Sequence, residues 1–182
     1  MASPIRCAKP NARTESIVNE VLHADAYAAV ADGTEVAALL NATRGPAING
    51  DLSLANGRLA PGTRSAVHFH PVVTQLTYVL TGTLTVWMQG KDNPEPYRLA
   101  ADRGGTIVTQ PGTLLQLGNE TEAIATVLYV VTPGYLQDLD FDDAVIAGPS
   151  WDKLHTTQLD RETLRAFTRR RAAAKARLLD VG

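Results

Sequence analysis

From Gly50 to Pro133 nearly every segment is a short apolar or alternating run closed by a turn residue, and this punctuation restricts the fold more than any other feature. "DLSLANGRLAP" contains the pair Asn56-Gly57, a turn signal; "RSAVHFH" alternates; "QLTYVL" stops at Thr81-Gly82; "TLTVWMQ" stops at Gly90. After the polar loop "KDNPEP" come "YRLA", "GTIVTQ" running into Pro111-Gly112, "LLQLG", a turn at Asn119-Glu120, and "AIATVLYVVTP". Short strands spaced this way describe an all-β, antiparallel sandwich or barrel. No repeat of 20 to 50 residues and no intervening helix suggests a solenoid or βαβ units.

The flanks read differently. Residues 14 to 31, "TESIVNEVLHADAYAAVA", place Ile17, Val18, Val21 and Leu22 at helical spacing, which predicts a short N-terminal helix with His23 beside its apolar stripe. "TEVAALLNAT" fits helix or strand. Near the C-terminus, "LDRETLRAFTRRRAAAKARLLDV" predicts a terminal helix, with Asp160 able to cap it and Glu162 in its first turn. Its place is against the barrel or a second subunit. His155 is a loop histidine that a folded-back tail could bring to a pocket. The divisions are residues 1–49 as helix and lead-in, 50–133 as barrel core, and 134–182 as tail and helix.

Composition bears on partners and setting. A chain of 182 residues, 45% apolar, can close one core without disulfides, and Cys7 is its single cysteine. The net charge of -2 gives no reason to expect nucleic acid. Six basic residues lie between Arg165 and Arg177 without an acidic one, opposite in sign to the four aspartates of "YLQDLDFDD", so a solvated helix face or an intersubunit contact is expected. No apolar run approaches a membrane span, and the start "MASPIRCAKPNARTES" lacks a secretory apolar region. The expectation is a cytoplasmic protein with no membrane partner.

Two of the four histidines, His68 and His70, stand one residue apart in a strand-like segment. Strand side chains alternate, so both point to one face while Val67 and Phe69 point to the other. Gln75 re-enters a strand after "PVVT" and can lie across from them. Two imidazoles and an oxygen donor suit a borderline divalent metal.

Gly62, five residues, His68-x-His70, four residues, Gln75, six residues and Gly82 form an ordered motif. Downstream, Gly105 and Pro111 precede the turn Gly112-Thr113, Gln116 and Asn119. In order and spacing these residues resemble the two motifs of the cupin family, with Gln75 where the family has Glu, Thr113 at a glycine position, Gln116 where it has His, and Asn119 one position early. The resemblance implies a jelly-roll β-barrel over about residues 50 to 133. It also implies one divalent transition metal per subunit (Fe, Mn, Ni or Zn), held by His68, His70, Gln75 and Gln116 as the catalytic set, and pairing into a homodimer.

An amide neutralises none of a divalent ion's charge, so exchanging Glu for Gln75 lowers affinity and raises Lewis acidity toward an anionic ligand. The small-molecule substrate expected is therefore a chelating anion: enolisable, phenolic or polyketide-like. Oxygenase chemistry is the leading expectation. Lewis-acid cyclase, isomerase or lyase chemistry is the alternative, and a non-catalytic binding cupin is the alternative of a different class. Arg64, Tyr78 and Trp87 are the candidates for the pocket wall.

Overall fold

The structure is a computed structural model describing residues 21–24, 26–41, 51–90, 95–135, 145–148, 150–151 and 161–180. Among the described residues eleven strands appear in chain order: β1 (Ala28–Ala29), β2 (Glu35–Leu40), β3 (Ser53–Leu59), β4 (Val67–Phe69), β5 (Thr74–Thr81), β6 (Thr83–Gln89), β7 (Tyr97–Asp102), β8 (Thr106–Thr109), β9 (Leu114–Gly118), β10 (Ala125–Thr132) and β11 (Val145–Gly148). One helix, α1 (Arg161–Asp180), follows.

The strands make two antiparallel sheets, one ordered β1-β2-β3-β10-β5-β8 and the other β11-β4-β9-β6-β7. This is the all-β jelly-roll architecture expected of a cupin. Consecutive strands alternate between sheets at several points, so their inner faces enclose one core. Val79, Leu84, Leu115 and Val127 are fully buried there, each contributing roughly 1.5–3 kcal/mol by leaving water. A smaller cluster of Val67, Phe69 and Leu114, with Trp151 against it, forms on the other face of β4 and β9.

Several segments depart from the sequence reading. Residues 14–20 and 25 lie outside the described residues; the described remainder of the expected N-terminal helix is not helical, and Ala28–Ala29 pairs with β2. "TEVAALLNAT", open between helix and strand, supplies β2 and lengthens the six-stranded sheet. Asn56-Gly57 is no turn: both residues sit inside β3, paired with Leu128 and Val127 of β10. Gly57 is needed there for another reason, because a Cβ on it would stand 2.3 Å from the Tyr129 ring. The turn at Thr81-Gly82 is real; Gly82 has φ +72, and a Cβ would come within 3.1 Å of the Ala125 backbone.

The terminal helix forms where the sequence places it, with Glu162 in its first turn. It reaches the β-structure through Arg171, whose guanidinium donates to the Gly134 carbonyl. Asp160, His155 and residues 136–144, which hold most of the acidic stretch, lie outside the described residues. Among the described residues no helix is long and apolar enough to cross a membrane.

Candidate metal and small-molecule site

Between the two sheets lies a cavity of about 600 Å³, a size suited to a small molecule. Val36, Leu40, Leu117 and Val131 give it apolar walls. Its polar wall is built from both sheets. His68 in β4 and His70 just after it face inward, as strand alternation requires, with 3% and 4% of their surface exposed. Gln75 enters from β5, also buried, and its amide nitrogen donates to Thr77 Oγ1 at 3.2 Å, leaving the amide oxygen as its acceptor.

Both imidazoles are oriented by local partners. The His68 Nδ1 lies 3.0 Å from the Ala66 carbonyl, an acceptor only, so Nδ1 carries the proton and Nε2 is the lone-pair nitrogen of the neutral ring. His70 Nδ1 meets the Tyr135 hydroxyl at 2.8 Å, and Gly112 N–H donates to the His70 carbonyl at 2.8 Å. The two rings stand edge to face, centroids 5.3 Å apart.

Three cavity residues had no signal in the motif reading: Asp32, Tyr129 and Tyr135. Asp32 precedes β2, and its carbonyl accepts from Ala66 N–H at 2.6 Å, which ties this turn to the start of β4. Its Oδ2 then sits 3.7 Å from His68 Nε2. Tyr129 belongs to β10 and has a buried hydroxyl with no hydrogen-bond partner among the described residues. Burial, with a smaller contribution from Asp32, pushes the ionisation of this phenol well above the ordinary tyrosine range.

Gln116 does not join the histidines. In the β4–β9 ladder His68 pairs with Leu115, and directly paired residues share a face, so Leu115 and Leu117 enter the core while Gln116 points outward. Its amide is already used: Nε2 donates to the Ser65 carbonyl at 2.8 Å and Oε1 accepts from Trp151 Nε1 at 3.2 Å. The three pocket-wall candidates also fall outside the cavity. Tyr78 is 39% exposed on the outer face of β5, with Thr77 inward in its place. Trp87, paired with Gln116, lies against Gly118 on the outer face, and Arg64 stacks over it at 4.0 Å. Glu120 holds Arg64 and Arg98 at 3.1 and 2.6 Å, and chiefly the Arg98 bond keeps its carboxyl below the usual range. His23 is exposed and does not line the cavity.

Among the described residues no three His, Cys, Asp or Glu side chains gather as a ready metal cluster. The donors that line the cavity are mixed: two imidazoles, the Gln75 amide oxygen and the Asp32 carboxylate, of which Asp32 and His68 are neighbours. Their chemistry fits a borderline divalent ion. In particular, His68 Nε2 and Asp32 Oδ2 lie 3.7 Å apart in a buried space, two donor atoms of the types that a divalent ion takes.

The cupin-domain profile matches residues 57–131, and the chain carries a cupin domain. Oxalate oxidase in complex with the substrate analogue glycolate superimposes with a TM-score of 0.53 at 21% identity, covering 65% of this chain and 57% of that one. CapF with the inhibitor 3-isopropenyl-tropolone gives 0.52 at 12%, covering 70% and 34%. Peruvianin-I, a cysteine peptidase from Thevetia peruviana latex, gives 0.57 at 15%, covering 82% and 89%. At these identities the likeness is one of fold, and the chain spans only about a third of CapF and somewhat over half of the oxalate oxidase. No curated protein matches the chain.

Proposed function

We propose that this chain is a metal-dependent cupin enzyme acting on a small molecule with an apolar body and a chelating, anionic oxygen head. The observation that carries this reading is the polarity of the cavity: two buried, oriented imidazoles and the Gln75 amide occupy one wall of an otherwise apolar space. His68, His70 and Gln75 would hold one Fe, Mn, Ni or Zn ion per chain. Such an ion supplies Lewis acidity and, if redox-active, a route to oxygen chemistry.

The chain's own residues do the rest. Tyr135 fixes the His70 ring, and Ala66 fixes the tautomer of His68. The apolar walls exclude water and strengthen polar contacts at the head group. Tyr129 presents a buried hydroxyl that can donate to a substrate oxygen and stays protonated while doing so. An enolisable or phenolic substrate suits these features, and oxygenation is the reaction proposed. The neutral Gln75 favours a second reading, Lewis-acid cyclisation, isomerisation or lyase chemistry.

The test begins with metal analysis of the purified protein and of His68→Ala, then oxygen uptake by Fe-, Mn-, Ni- and Zn-loaded forms with 1,3-dicarbonyls, catechols and polyphenols. Oxygen consumption with a redox-active ion supports the oxygenase. Equal turnover with Zn moves the assignment to Lewis-acid chemistry, and a folded protein that takes up no ion removes both in favour of a binding cupin. The homodimer that the family likeness implies would use the outer face of the six-stranded sheet, where Tyr78, Leu80 and Val108 are exposed. Light scattering at 19.5 kDa would reject it.

A further inference from the structure

We infer that Asp32 supplies the anionic ligand that position 75 lacks, so that a carboxylate from outside the cupin motifs completes the metal site. The inference rests on the metal reading above and deepens it. Asp32 lies beyond the segment 57–131 that matches the cupin domain, yet the bond from Ala66 N–H to its carbonyl brings it beside His68.

The two carboxylate oxygens have separate tasks. Oδ1 accepts from Thr34 N–H at 2.9 Å and from Thr34 Oγ1 at 2.7 Å, which locks the side-chain rotamer within its own turn. Oδ2 is thereby turned toward His68 Nε2, with only 10% of the Asp32 side chain exposed. Their separation of 3.7 Å is too long for a hydrogen bond. It lies close to the span of two donors that each sit ~2.0–2.2 Å from one ion.

Charge points the same way. Two imidazoles and the Gln75 amide leave a divalent ion with its full charge in a cavity with mostly apolar walls, which is costly. One carboxylate removes half of that charge. The net charge of the donor set then equals that of a site with Glu at position 75, delivered from the other side of His68. An aspartate that served only its own turn would need only the bonds of Oδ1, which asparagine keeps. A proton shared between Asp32 and His68 is the rival occupant, and it predicts no dependence of metal affinity on Asp32.

The experiment titrates Mn²⁺ and Zn²⁺ alone into the full chain, following free Mn²⁺ by electron paramagnetic resonance and Zn²⁺ by calorimetry, with circular dichroism to verify folding. Asp32→Asn should bind at least ~10-fold more weakly than the parent. Gln75→Glu introduced into Asp32→Asn should recover most of the loss, because it returns the charge from the neighbouring strand. If His68→Ala abolishes binding while Asp32→Asn binds like the parent, Asp32 is no ligand and the metal site stands without it. No binding by the folded parent overturns both readings. A loss in Asp32→Asn that Gln75→Glu fails to restore overturns the charge argument.

Discussion

Tyr135 and His70 meet with the phenol hydroxyl 2.8 Å from Nδ1, their rings tilted at 51°, although 65 residues separate them. The contact is secured from below, since Tyr135 N–H donates to Ser53 Oγ in β3 at 2.8 Å. With Nδ1 bonded to the phenol, the imidazole presents Nε2 as its second donor atom. Tyr135→Phe removes the hydroxyl and keeps the ring packing. The expected outcome is a metal affinity lower by roughly 10-fold, with a thermal midpoint close to the parent's. Calorimetric titration beside a melting curve measures both, and unchanged affinity would show that the phenol does not orient His70.

Gly57 and Tyr129 form a second dependence across the β3–β10 ladder. A methyl at position 57 would stand 2.3 Å from Tyr129 Cε2, well inside contact distance, so the ring or the strand must move. Gly57→Ala should cost about 1–3 kcal/mol in urea denaturation. Adding Tyr129→Leu should return part of that loss. A Gly57→Ala protein as stable as the parent would contradict the close approach.

Tyr129 also sets a pH limit. Its folded-state ionisation is pushed upward by burial, so the fold favours the neutral phenol. The stability that this supplies is complete below the unfolded value of about 10 and is lost as pH rises from there through the folded value. Urea midpoints should therefore fall more steeply above pH ~10 in the parent than in Tyr129→Phe. At neutral pH the same variant should be as stable as the parent, because the hydroxyl removed has no described partner, while its ligand affinity falls. A marked loss of stability at neutral pH would mean that the hydroxyl is bonded within the fold.

The all-β antiparallel architecture and the inward pair His68 and His70 were legible because strand alternation is a local property and the turn residues mark most strand ends, whereas the order of strands in the two sheets was not. The turn signal at Asn56-Gly57 failed because a glycine can serve a turn or the close approach of a ring, and only the position of Tyr129 in another strand separates the two. The pocket-wall choices failed on parity: at Thr77 and Tyr78 the sequence offers two neighbours and only one can face inward, and the register with β10 and β8 makes it Thr77. Asp32 carried no signal at all. Its place beside His68 depends on one backbone bond to Ala66, between segments that are distant in sequence.

The same parity makes the sharpest prediction, at Gln116. Motif spacing alone says that Gln116→His restores a missing metal ligand and should tighten binding. The structure says otherwise, because pairing of His68 with Leu115 and of Trp87 with Gln116 turns position 116 to the outer face, toward Ser65 and Trp151. An imidazole there has no route into the cavity without a one-residue slip of β9, which would drive Leu115 and Leu117 out of the core. Gln116→His should leave Zn²⁺ affinity unchanged and cost about 1–3 kcal/mol through the two amide bonds it breaks. Gln75→Glu, by contrast, adds a carboxylate inside the cavity and should raise affinity. Zinc titration and urea denaturation of the two single variants decide the matter, and tighter binding by Gln116→His would show that β9 adopts the other register.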